Sequence, residues 1–122
     1  MWLGLAAMAL AYGAVWQLRQ LYVEPSAAAL ACNTASHPSW CSIRFALLFC
    51  QQSALFGAAA LIMGGLALFR GGRGAAVAAM GLSAAAIANY NVEMGALALV
   101  AGLIASVGRG RRRAASDDAR QA

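Results

Sequence analysis

Residues 45–69 read FALLFCQQSALFGAAALIMGGLALF, a run of twenty-five positions without a single charge. A helix crossing a hydrocarbon core of about 30 Å needs roughly 20 apolar residues, so this run is long enough to span with tilt to spare. Outward from it, Met1–Leu18, Gly74–Val92 and Met94–Gly108 are uncharged as well. The chain has 122 residues, 62% of them hydrophobic and only 11% charged. Globular domains carry about 25% charged residues, so the composition excludes an ordinary soluble domain. The pattern predicts an all-α fold, an integral membrane four-helix transmembrane bundle formed by residues 1–108. Its helices are expected at about 2–22, 40–69, 74–89 and 92–108, with an external loop at 24–39 and a disordered basic cytoplasmic tail at 109–122.

The first run could also be a cleaved signal peptide, with Ala27–Ala29 as the small residues of a cleavage site. Against that, no basic residue precedes Arg19, and the apolar stretch exceeds the usual 7–15 or so residues of a signal core. A retained first helix fits better.

Arginine sets the expected orientation. All nine basic residues are arginine, and Arg70, Arg73, Arg109, Arg111, Arg112, Arg113 and Arg120 lie after the second run or in the tail. Four spans put those two segments on one side, and segments rich in Lys and Arg stay in the cytoplasm. Both termini are then cytoplasmic, in a multi-pass protein of a bacterial inner (plasma) membrane. The basic tail abuts a span and has no groove-reading or base-stacking module beside it, so its expected partner is anionic lipid rather than nucleic acid.

Cys32 and Cys41 flank the end of the external loop, on the side that is oxidising in a bacterium. A disulfide between them would close a short loop onto the second helix. A thiol–redox role for Cys32, Cys41 and Cys50 is the sharper alternative. Four-helix oxidoreductases of the disulfide-forming and vitamin K epoxide reductase types resemble this chain in helix number and in a cysteine opening helix two. The chain departs from them in having no C-x-x-C, and Cys50 lies about 13 Å deeper than Cys41 along a helix. Cys32, His37 and Cys41 fall one ligand short of a tetrahedral zinc site and fit no finger spacing, so no metal and no cofactor is expected.

Polar residues gather just below the outer surface: Arg19 on the first helix, Arg44, Gln51 and Gln52 on the second, and Asn89, Asn91 and Glu93 at the last turn. Residues 74–108 must cross twice and turn, which leaves about 16 residues, or 24 Å, for each arm. The tip should therefore lie at or below the interface, where a carboxylate seeks a partner inside the bundle. This predicts an ion pair of Glu93 with Arg44 or Arg19. The spans also carry small-xxx-small pairs, Ala60 with Gly64, Gly81 with Ala85 and Ala98 with Gly102, which let helices approach closely.

The segments RFALLFCQQSALFGAAAL (44–61) and IANYNVEMGALALVAGLIA (87–105), with the Cys–Cys loop before them, resemble a group of short four-helix inner-membrane proteins of proteobacteria. The resemblance implies fold and placement and brings no activity with it. The expected function is that of a non-enzymatic accessory or assembly protein, associating with another membrane protein or with copies of itself. Alternatives are a thiol- or quinone-linked oxidoreductase and a minimal dimeric transporter. The transporter class is similar in size but relies on a glutamate inside helix one, and none precedes Glu24 here.

Overall fold

The computed structural model describes residues 1–121. These form six α-helices: α1 (Trp2–Tyr22), α2 (Ser26–Cys32), α3 (Cys41–Gln52), α4 (Leu55–Arg70), α5 (Arg73–Ala88) and α6 (Val92–Gln121). No strand occurs among the described residues, so the fold is all-α.

The centre of the fold is α5. It packs extensively against α1, α4 and α6, while α1 has no extended contact with α4 or α6. Its sequence suits that position: Ala76, Ala79, Met80, Ser83, Ala84, Ala85, Ala86 and Ala88 are all buried, small enough to admit three neighbours. Close approach replaces bulk in this core. A Cβ at Gly64 on α4 would lie 3.2 Å from the Cβ of Ala101 on α6. A Cβ at Gly95 on α6 would lie 3.0 Å from the Ser83 carbonyl oxygen on α5. Met80 fills the notches that Gly4 and Gly102 leave on either side of α5.

The helix expected at 40–69 is two helices. α3 and α4 meet at a break where the chain bends by 58°, with Ala54 in the left-handed region at φ 50°. The cause lies in the competition for carbonyls. In a continuous helix the Ala54 N–H would bond the Cys50 oxygen. Here the Asn91 amide donates to that oxygen at 3.4 Å, and the Ala54 N–H turns to the Gln51 oxygen at 3.3 Å. The Ser53 hydroxyl donates to the Phe49 oxygen at 2.6 Å, a back-bond that bends helices.

Two other expectations change. The external loop 24–39 contains the seven-residue helix α2, begun after Pro25. The tail, expected to be disordered from 109, continues α6 to Gln121. An established helix elongates without a new nucleation cost, and the Arg- and Ala-rich tail has strong helix formers. Ala122 lies outside the described residues.

Length and hydropathy qualify one helix, α6, to cross a membrane by itself. α3 and α4 qualify only as a bent pair, and α5 is apolar but only 16 residues long. Four separate full-length spans are therefore more than the helix lengths establish.

Left-handed backbone costs a non-glycine residue about 1–2 kcal/mol, of which glycine's greater chain entropy returns roughly half. Ala54→Gly is expected to raise stability by about 0.5–1 kcal/mol in a denaturant titration in detergent. A loss of stability would show that Ala54 does not hold this conformation.

Candidate polar site at the disulfide end of the bundle

At one end of the bundle α1 approaches its C-terminus, and Arg19 points inward with 5% of its surface exposed. A guanidinium buried to that degree needs acceptors on several sides. Three elements supply them. Its Nη1 donates to Gln51 Oε1 on α3 at 3.0 Å and to Asn89 Oδ1 at the end of α5 at 2.9 Å. Its Nη2 pairs with Glu24 Oε1 at 3.1 Å. The guanidinium carbon lies 4.2 Å from the centre of the Tyr90 ring, a cation–π contact.

The surrounding groups extend the network to the backbone. Fully buried Asn89 donates through Nδ2 to the Leu47 carbonyl at 3.3 Å, as Asn91 does to that of Cys50. Arg44 uses Nη1 on the last carbonyls of α1, Val23 at 2.7 Å and Tyr22 at 3.3 Å. Those oxygens form the negative end of the α1 dipole, where a cation is favoured. Among the described residues no buried side-chain nitrogen or oxygen lacks a partner.

Of the seven residues expected in the cluster, the structure brings together Arg19, Gln51, Asn89 and Asn91, and sets Arg44 beside them on the α1 carbonyls. It leaves out Gln52 and Glu93, both exposed. The expected ion pair of Glu93 with Arg44 or Arg19 is corrected: the one salt bridge among the described residues is Arg19–Glu24. The reason is local. At the end of α1 the N–H groups of Val23 and Glu24 both bond the Arg19 oxygen, each at 2.9 Å, folding Glu24 back over its own helix. Glu93 instead occupies the first turn of α6, where a carboxylate complements the helix dipole.

Glu24 and Tyr90 are thus the participants that spacing did not reveal. The only available signal was the pair R-x-x-x-x-E closing α1 immediately before Pro25. Tyr90 takes φ 62°, and with it the Asn91 N–H reaches the Ala86 oxygen at 2.8 Å, closing the turn that aims both asparagines at α3.

The Cys32–Cys41 disulfide, with Cα atoms 5.6 Å apart, ties the end of α2 to the first residue of α3. Cys50 is a free thiol, partly buried. His37 packs edge-on against Phe45. Among the described residues no three His, Cys, Asp or Glu side chains gather as metal ligands would.

Chemically, the cluster is a fastening. Its buried donors and acceptors are met by one another and by backbone carbonyls, and the bonds tie α1, α3 and the α5–α6 turn together. Comparison with protein families, with characterised proteins and with solved structures returned no match.

A hydrogen bond to a buried charge is worth about 1.5–3 kcal/mol. Asn89→Leu is therefore expected to destabilise the fold by about 2 kcal/mol, seen as a lower midpoint in detergent. Gln52→Leu, outside the network, should shift it by no more than about 0.5 kcal/mol. Equal effects of the two changes would remove the cluster's structural role.

Proposed function

We propose that this chain is a small multi-pass protein of a bacterial inner membrane, spanning it four times with both termini in the cytoplasm. In this reading it serves as a non-enzymatic accessory component that associates with another membrane protein or with its own copies. One observation carries the reading: a wide apolar surface lies open between two polar ends. Leu10, Leu61, Ile62, Leu97, Val100 and Ile104 are all exposed, well beyond the single apolar patches of soluble monomers. The Arg19 cluster and the disulfide occupy one end of that surface; Arg70, Arg73 and Arg109 stand at the α4–α5 turn and on α6 at the other.

Helix lengths are accommodated in two ways. The bent α3–α4 pair acts as one span, with α3 leaning toward the outer interface, where Trp40, Phe45 and Phe49 meet the headgroups. α5, about 24 Å long, is shielded by its three neighbours and needs only modest thinning of the bilayer. The resemblance to short four-helix proteobacterial membrane proteins is consistent with this placement.

The accessory role is favoured because the buried donors and acceptors of the polar cluster bond one another and the backbone, tying helix ends together. An oxidoreductase would need the Cys32–Cys41 bond to cycle.

Two measurements test the reading. Alkaline carbonate washing should leave the chain in the membrane fraction, with reporters at both ends facing the cytoplasm; release into the wash, or ends on opposite sides, would contradict it. In growing cells, thiol alkylation without reductant should label Cys50 and neither Cys32 nor Cys41. A standing fraction with Cys32 and Cys41 reduced would favour the redox alternative.

A further inference from the structure

At the end opposite Arg19, α1 and α6 flank α5 without packing on each other, and a cavity of about 410 Å³ opens between them. Its floor is Gly4, Ala76 and Met80, and three arginines surround its mouth: Arg73 from α5, Arg109 and Arg113 from α6. No acidic residue lines it, and none of the three arginines forms a salt bridge among the described residues. Arg109 is held in place by the α4–α5 turn: its Nη1 donates to the Gly71 and Gly72 carbonyls at 2.7 and 2.9 Å. Gly71, at φ 72°, ends α4 in the left-handed conformation and so presents those oxygens.

The cavity adjoins a second feature. A groove of about 910 Å³ follows the seam between α1 and α5, from Leu3 and Arg73 up to Leu10, Ala11 and Leu82. Leu3, Arg73 and Val77 line both. Beyond Arg73 the groove is wholly apolar in its side chains and open along its length. From Arg73 to Leu82 is nine residues, about 14 Å of helix, close to half of a hydrocarbon core of about 30 Å. The groove thus has the depth of one leaflet, and the arginines stand at its headgroup end.

We propose that this cavity and groove form a binding site for one anionic phospholipid of the cytoplasmic leaflet. The phosphate sits among Arg73, Arg109 and Arg113, and one acyl chain lies between α1 and α5. Three uncompensated cations select the headgroup charge, and the apolar groove selects a lipid over a soluble phosphate. The site rests on the membrane placement proposed above and goes beyond it, because general attraction of a basic tail to anionic lipid needs no groove and no fixed stoichiometry.

The test is native mass spectrometry of the full chain, delipidated in detergent and titrated with phosphatidylglycerol, phosphatidylcholine or glycerol phosphate. One phosphatidylglycerol per chain is expected to bind, well before phosphatidylcholine. Each arginine near a headgroup contributes roughly fivefold in affinity, so Arg73→Gln with Arg113→Gln should weaken phosphatidylglycerol roughly 25-fold and erase the preference. Arg109 is left intact because it also holds the turn. Ala78→Trp fills the groove without touching an arginine, and should weaken phosphatidylglycerol while leaving glycerol phosphate unchanged.

Equal binding of the two lipids, or binding indifferent to the arginine pair, would overturn the headgroup site. Glycerol phosphate binding as tightly as the lipid, or an Ala78→Trp chain that still binds normally, would overturn the groove. If those failures occur in a chain that withstands carbonate washing, the membrane placement stands and the lipid site alone falls. A chain released by carbonate overturns both.

Discussion

The buried guanidinium of Arg19 is the constraint around which one end of this molecule is arranged. A charge so far from water is tolerable only when its donors are met, and no single neighbouring helix has the groups to meet them. Gln51 comes from α3, Asn89 from α5, Glu24 from the turn after α1, and Tyr90 covers the flat face. Satisfying one side chain therefore draws four segments together at a fixed spacing. At the other end of the bundle no such group is buried. There the order comes from alanines and glycines packed around Met80, and the arginines remain at the surface.

The same turn that feeds Arg19 also shapes α3. Asn89 and Asn91 lie on either side of left-handed Tyr90, and both amides take carbonyls of α3. Taking the Cys50 oxygen breaks the helix at Ser53–Ala54, and the bend swings α3 away from the line of α4. α3 makes little contact with the rest of the bundle; it is held by these amides, by Arg44 on the end of α1, and by the disulfide at its first residue. A short helix with so little packing would otherwise be marginal. That explains why a covalent link and five polar bonds converge on twelve residues.

Much of this was legible in the chain itself. The uncharged runs coincide with most of α1, with α5 after Arg73 and with the apolar part of α6. The partners Cys32 and Cys41 were legible because Cys50, equally far from Cys41 in sequence, lies about 13 Å deeper along a helix. The polar residues of the cluster were legible as a group from their depth, but their pairing was not. Glu93 has the right depth and the wrong azimuth, whereas Glu24 is brought back by the hydrogen bonding of a single helix end. The break in α3–α4 left no mark in its own sequence beyond Ser53, since its cause, Asn91, is 41 positions from Cys50. The helical tail was not legible because its charge density points to disorder, while its arginines and alanines carry the helix on. The arginine cavity was invisible because its three cations come from helices that only the fold makes adjacent.

Arg19 and Asn89 act as one unit that binds α1 to α5 and, through Leu47, to α3. A double-mutant cycle measures that directly, comparing unfolding of Arg19→Met, Asn89→Leu and the double variant in the same detergent. Residues in one hydrogen-bond network couple by about 0.5–3 kcal/mol, and a coupling above about 1 kcal/mol is the expected result, the second substitution costing little once the first is made. Strict additivity of the two losses would contradict it.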